Sequence, residues 1–389
     1  MSMLRWNGLG VMLVLVGCGA PAPGTGLRVP PPAAQAVLSS APPPEHVECD
    51  PHTCPNLDEE CCKTNGAGVY TAEDGYAGIG EYSLMITHFI NNTRPDGTRY
   101  VTFQGRYHEV ASNKWWSLPT AGSIEYADHT GYANQQLQVS SVSETSTQPR
   151  WTLRGTSKAA ADIPVTGGDL AKLTLHIKVD VPNLHGETPA RTKRYTLQFG
   201  GVTAEPGTNF KTVIKYDLSW SEQGSSTSKR YCATPEDPVV FQQGIDVHPV
   251  TGRVTPSPSV VTMSCRQGAL ATVYWWGYDY RGTSDAERFY FESGIQMKRA
   301  SYCADENYYT TAGTPIVIAD DHGIEGWYQD IQTLEARWSP KGAVCLDTMR
   351  HPEKNFSRIC NSTPVPTCDQ VALKGAYLAN GLGSSAPSQ

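Results

Sequence analysis

Between residues 66 and 223 apolar and polar positions alternate with the period of a strand, and turn residues break the alternation at short intervals. The cleanest run is Lys172 to Val181. Leu173, Leu175, Ile177, Val179 and Val181 share one face, and Lys172, Thr174, His176, Lys178 and Asp180 share the other. That is a strand with one wet side, as antiparallel sheets allow. Glu81–Phe89, Arg99–Tyr107, Leu137–Ser141, Trp151–Arg154, Arg194–Phe199 and Thr212–Leu218 are rich in β-branched and aromatic residues and read the same way. Pro95-Asp-Gly and Asn183 to Gly186 supply turn chemistry between them. This spacing predicts an antiparallel β-sandwich or open barrel.

The pattern changes after a Gly/Ser-rich stretch, Ser221 to Ser228, which reads as a module boundary. Ser259–Met263 and the apolar run Ala271–Trp276 predict strands. Ser284-Asp-Ala-Glu287 has the form of a capping box, opening a helix that runs towards Tyr302. Phe291, Ile295 and Tyr302 fall on one face of it, and Gly294 within it costs about 1 kcal/mol against alanine, so a packing reason is expected. Gly313-Thr-Pro then turns the chain into a short strand, Ile316–Ala319, and Asp369–Leu378 predicts a small terminal helix. The fold class is mainly β with a minor α component: a sandwich or open-barrel N-terminal module, then a disulfide-stapled α+β C-terminal module.

At the N-terminus the apolar stretch is Gly8 to Gly17, preceded by Arg5, and it has signal-peptide length. It is too short for a membrane-spanning helix, which needs roughly 20 apolar residues. Leu15-Val16-Gly17-Cys18 resembles a bacterial lipobox, which implies lipidation of Cys18 and a mature chain that begins there. Ala20 to Glu45 is dominated by Pro and Ala, a composition that favours an extended tether over a packed element. Export also decides the cysteine chemistry. Of 11 cysteines, ten remain once Cys18 is lipidated: Cys49, Cys54, Cys61, Cys62, Cys232, Cys265, Cys303, Cys345, Cys360 and Cys368. An even set in an oxidising compartment reads as disulfides. Cys49-Asp-Pro-His52-Thr-Cys54 and Cys61-Cys62 lack the spacing of a tetrahedral zinc site. Cys360 and Cys368 flank a Pro-containing loop and are expected to close it.

Four stretches of the second half carry a resemblance: Ser264-Cys-Arg-Gln-Gly-Ala-Leu-Ala271, Trp276-Gly-Tyr278, Ala300-Ser-Tyr-Cys303 and Leu334-Glu-Ala-Arg-Trp-Ser-Pro-Lys-Gly-Ala-Val-Cys345. In order and spacing they resemble the ADYC domain of secreted myxobacterial proteins, with Ser301 where the name-giving tetrad has an acid. The resemblance implies no assigned activity. It does imply two cysteines that this chain lacks, at the positions of Val273 and Gly294. Losing both halves of one bridge leaves every other thiol paired, so the two positions are expected to face each other within disulfide range.

The boundaries that follow are 1–17 for the signal segment, 18–46 for the tether and 47–226 for a Cys-rich entry with the β module. The ADYC-like module takes 227–352, and 353–389 is a Cys-closed loop, short helix and tail.

Candidate chemistry is sparse. Asp320-Asp321-His322 at a strand end is the one cluster able to bind a divalent ion or orient a water, against a simpler reading as an acidic turn. His176 reads as a solvated sheet histidine, and Trp115-Trp116 as core or edge aromatics. No cofactor is expected. A net charge of −7 without a basic run excludes nucleic acid as a partner. The expectation is a lipoprotein anchored in the cell envelope, at the outer membrane on its periplasmic face or the cell surface, that serves as a non-enzymatic binding or structural module for an envelope or extracellular ligand. The alternative is an envelope hydrolase of polysaccharide or peptide.

Overall fold

The computed structural model describes residues 68–71, 78–80, 84–109, 114–132, 135–145, 148–155, 161–181, 191–206, 212–232, 237–281, 285–305, 307–311, 313–326, 331–370 and 377–382. The signal segment, the tether, Cys18, Cys49, Cys54, Cys61 and Cys62 lie outside them. In chain order the strands before the first helix are β1 (Met85–Thr93), β2 (Arg99–Glu109), β3 (Lys114–His129), β4 (Gln138–Thr145), β5 (Gln148–Arg154) and β6 (Asp162–Val165). They continue with β7 (Leu173–Val181), β8 (Arg191–Pro206), β9 (Thr212–Glu222), β10 (Lys229–Arg230), β11 (Val239–Val247) and β12 (Val254–Cys265).

Eight of these close into an antiparallel barrel in the order β9-β11-β12-β1-β2-β3-β7-β8 and back to β9. The sequence alternation becomes an inside and an outside. In β7, Leu173, Leu175, Ile177, Val179 and Val181 are all buried in the barrel core, and His176 points outward, 2.7 Å from Asp128 and stacked on Tyr126. An eight-stranded barrel is just wide enough for side chains to fill it. Here aromatics do so: Phe89 meets Trp151 edge-on at 5.1 Å, and Phe199 meets Tyr216 at 6.1 Å. Trp151 belongs to a separate sheet, β4-β5-β6, whose buried side chains join the same core. Asn91 fastens that sheet to β1, its amide exchanging two 2.8 Å hydrogen bonds with the backbone of Val142. Residues 221–228 form the end of β9 and the turn into β10, which pairs back onto β9 in the same sheet. Trp115 and Trp116 lie in β3, with side chains outside the described set.

Outside the barrel, a second core unites Met85, Val240, Ile245, Val247 and Val254 with two helices, α1 (Ala269–Trp275) and α2 (Asp285–Arg299). The α1 segment corrects the expectation of a strand over 271–276. Every residue of α1 is buried, and a short, uniformly apolar run carries no period to separate helix from strand. The environment decides. The backbone carbonyls of Gly68 and Val69 accept the N–H groups of Ala269 and Leu270 at 3.1 Å each, satisfying donors that a helix start leaves open. Gly268 is needed there, since a Cβ would come within 2.5 Å of the Tyr70 backbone.

Helix α1 packs against α2 where the cysteine parity placed the contact. A Cβ built on Gly294 would stand 3.5 Å from the Cβ of Val273. The site joins helix to helix rather than strand to helix.

Beyond α2 lies a four-stranded antiparallel sheet built from β13 (Ile316–Asp320), β14 (Leu334–Ser339), β15 (Gly342–Leu346) and β18 (Leu378–Leu382), in the order β13-β18-β14-β15. The small hairpin β16 (Ile359–Cys360) and β17 (Thr363–Pro364) precedes its last strand. Residue 378 therefore opens a strand and does not end a helix. Only a short 3-10 turn, Cys368–Gln370, forms in the described part of the predicted terminal helix. Among the described residues the disulfides are Cys232–Cys265, Cys303–Cys360 and Cys345–Cys368. Cys360 and Cys368 thus do not close their own loop. Each reaches back instead, Cys360 to the tetrad and Cys368 to β15. Among the described residues no helix is long and apolar enough to cross a membrane.

Candidate functional site

The four stretches that carry the resemblance meet in space, and what they build is a scaffold. Helix α2 ends with Ala300 in the left-handed region, φ 48°, and the Ser301 N–H returns to the Gln296 carbonyl at 2.9 Å, the hydrogen bond of a Schellman termination. That reversal drives Tyr302 into the core, stacked on Trp338 at 5.5 Å and on Phe356 at 4.9 Å. Its hydroxyl donates to Glu335 at 2.8 Å, and burial together with that carboxylate holds the phenol well above its usual range. Arg350 Nε bonds both Glu335 oxygens, at 2.7 and 2.8 Å, while its Nη2 donates to the Met297 carbonyl at 2.9 Å. Asn380 donates to Glu335 at 2.6 Å and accepts from the Trp338 indole at 2.7 Å. Gly342 lies where a Cβ would strike the Tyr302 carbonyl at 2.3 Å, and the Ala343 N–H bonds that same carbonyl at 2.9 Å. Cys303 then ties the segment to Cys360. Glu335 and Arg350 are fully buried, and a buried ion pair is tolerable when its remaining lone pairs and protons are met.

The acidic cluster resolves into a turn. Asp320 is fully buried in β13. One of its oxygens accepts the N–H groups of His322 and Ile324 at 2.8 and 3.0 Å, and the other accepts Glu325 N–H at 3.0 Å and the Tyr278 hydroxyl at 2.9 Å. Four donors saturate it. Asp321 accepts the Tyr290 hydroxyl, and Asp321 and His322 are exposed. Among the described residues, one group of three His, Cys, Asp or Glu ligand atoms comes within metal reach: Cys232, Asp237 and Cys265. Its two sulfurs are bonded to each other, so it offers no thiolate.

A cleft of about 450 Å³ opens instead on the barrel's outer wall. It exists because β1 carries a bulge: Ile86 pairs with Gly105 and His88 with Gln104, leaving Thr87 unmatched. The extra residue lets Ile86 and Phe89 both face the barrel core. Thr87 and His88 are thereby turned outward, a re-aiming that bulges commonly serve. Opposite them the β11–β12 hairpin contributes Asp246, His248, Arg253 and Thr255, while Leu118 and Pro249 supply apolar wall.

At the back of the cleft stands His88, 2 % exposed. Its Nδ1 lies 2.9 Å from the Thr87 hydroxyl, and its Nε2 lies 3.2 Å from Asp246 and 3.0 Å from the Tyr70 hydroxyl. The Tyr70 O–H donates to the Val247 carbonyl at 2.5 Å, and the Val247 N–H donates to the ring Nε2 at 3.3 Å. Burial pushes the histidine down to about 4, against the opposing pull of Asp246. At neutral pH it is an uncharged, firmly held hydrogen-bonding group. A polar His inside the apolar run Met85-Ile-Thr-His-Phe89 was the available sequence signal, but its partners at 70 and 246–253 lie in other segments.

No curated protein and no solved structure matches the chain. The family model of the ADYC domain matches residues 167–352. The match begins well upstream of 227, taking in β7, β8 and β9, so it holds five of the barrel's eight strands, both helices and β13 to β15. The remaining barrel strands, including the bulged wall that carries His88, come from residues 85–129. Residues 167–352 of this chain are an ADYC domain, built into a barrel that the preceding strands complete.

Proposed function

We propose that this chain is an envelope lipoprotein, lipidated on Cys18 and held out by its Pro-rich tether, that binds a small polar ligand without transforming it. The observation that carries the binding reading is the cleft beside His88, the place where polar groups converge on a cavity of ligand size. Thr87, His88 and Asp246 do form a hydroxyl–imidazole–carboxylate chain. An imidazole near 4 is nonetheless a weak base at neutral pH, and general-base catalysis is most effective near the operating pH. The alternative of a metal-assisted hydrolase at Asp320, Asp321 and His322 loses its support with the saturation of Asp320.

Two experiments test the two halves. In detergent phase partition the wild-type protein enters the detergent phase and Cys18→Ala stays in the aqueous phase; equal partition ends the lipoprotein claim. For the cleft, the purified full chain is incubated with low-molecular-weight solutes extracted from cell envelopes, and bound species are read by native mass spectrometry. Ser117 is exposed and lines the cleft, so Ser117→Trp fills it without disturbing the core. A solute retained by wild type and lost with Ser117→Trp is the expected result. Equal retention by both, or none by either, overturns the binding reading.

A further inference from the structure

The cleft's polar groups are sorted by charge along one hairpin, and that ordering carries information about the ligand. In the β11–β12 register Asp246 faces Thr255 and Val247 faces Val254, and the His248 N–H bonds the Arg253 carbonyl at 2.8 Å. Asp246 and His248 on one strand, with Arg253 and Thr255 on the other, therefore share a face, the face that lines the cavity. Asp246 sits deeper, against His88, with its side chain 49 % exposed. His248 Nδ1 accepts the N–H groups of Val250 and Thr251, at 3.3 and 3.1 Å. Arg253 is exposed at the cleft, and its guanidinium also acts electrostatically on the Glu292 carboxylate.

The cleft thus offers a carboxylate from Asp246 and a guanidinium from Arg253. Two residues of strand separate Asp246 from His248, about 7 Å between Cα atoms. We infer that the cleft takes a small zwitterion of the α-amino-acid class, its ammonium on Asp246, its carboxylate on Arg253, and its side chain against Leu118 and Pro249. This rests on the binding reading above and names its ligand. The two ends suit the two groups: a guanidinium fork matches a carboxylate in two parallel hydrogen bonds, and a half-buried carboxylate favours a compact cation. The volume fits as well. The cavity of about 450 Å³ equals roughly fifteen water volumes at 30 Å³ each, room for one amino acid with some retained water.

The test is isothermal titration calorimetry on the full chain in detergent, with L-leucine, N-acetyl-L-leucine and L-leucinamide as probes. Leucine should bind, and capping either end should weaken binding by about tenfold or more. Asp246→Asn should weaken leucine by a similar factor and leave N-acetyl-leucine unchanged. Arg253→Gln should do the converse, leaving leucinamide unchanged. Both side chains reach solvent, so the variants should melt as wild type does. N-acetyl-leucine binding as tightly as leucine overturns the ammonium site, and leucinamide doing so overturns the carboxylate site. If none of the common amino acids binds at millimolar concentration, the zwitterion class is rejected. Should envelope solutes still be retained in a Ser117→Trp-sensitive way, that rejection leaves the binding reading standing; should they not, both fall.

Discussion

Replacing Val273 and Gly294 by cysteine should create a fourth disulfide among the described residues and stabilise the fold measurably. The geometry is already in place. The Cβ positions would stand 3.5 Å apart, at the short end of the 3.5–4.5 Å found in disulfides. With about 1.5 Å for each Cα–Cβ bond, the Cα atoms are at most about 6.6 Å apart, inside bridging range. A crosslink there closes a loop of roughly 22 residues, which the chain-entropy relation puts at about 3.4 kcal/mol. Trimming the buried Val273 should return about 1 kcal/mol of that. The net gain of about 2.4 kcal/mol corresponds to roughly 3 °C in melting temperature for a chain of this size. The single substitutions provide the control. Gly294→Cys alone places its Cβ 2.6 Å from a Val273 methyl and should lose about 1–3 kcal/mol through overpacking. Intact-mass analysis before and after reduction reports the bond, and thermal melts with and without reductant report its effect. Free thiols persisting in the oxidised double variant, or Gly294→Cys as stable as wild type, would refute the placement of these two positions against each other.

Glu335→Ala leaves Arg350 buried without its partner and should cost about 3–5 kcal/mol in urea unfolding; a loss under 1 kcal/mol would mean the network contributes little. His88 gives a pH dependence with a definite sign. Its folded value of about 4 lies below the ordinary 6.5, so the unfolded chain binds the extra proton first. Its contribution is fully present above about pH 6.5 and is lost as pH falls towards 4, by up to about 3 kcal/mol. His88→Gln should flatten that part of the stability profile, and an unchanged profile would contradict the buried neutral ring. Peptide mapping without reduction should recover Cys303 joined to Cys360 and Cys345 joined to Cys368; a peptide linking Cys360 to Cys368 would contradict the connectivity.

Much of the barrel was legible because its strands are half buried. In β7 the alternation of Leu173, Leu175 and Ile177 with polar neighbours needed only one wet and one dry face. Helix α1 was not legible, because a segment buried on all sides shows no period, and the partners that cap its start lie at residues 68 and 69. The contact between Val273 and Gly294 was accessible through the family resemblance, which implies a cysteine at each position, and through the parity of the thiols that remain. The cleft stayed hidden for a different reason. A single unmatched residue, Thr87, swings His88 to the outer wall, and the partners that give it meaning come from the hairpin at 246–255. Asp320 looked like chemistry because a carboxylate at a strand end serves a ligand and a turn equally well. Its four donors, three of them backbone amides, settle which.

Strand β18 has a position that constrains how the protein can be made. It lies between β13 and β14, yet it follows both in the chain. Emerging from a ribosome or a secretion channel, β13 and β14 must wait with a vacant slot between them until residues 378–382 arrive. Until then both present unpaired strand edges, the feature that proteases and chaperones act on. Asn380 gives the arrival a second consequence, since it brings the amide that completes the shell of Glu335. Five residues thus act as a completion check: a product that stops before residue 378 cannot imitate the finished fold.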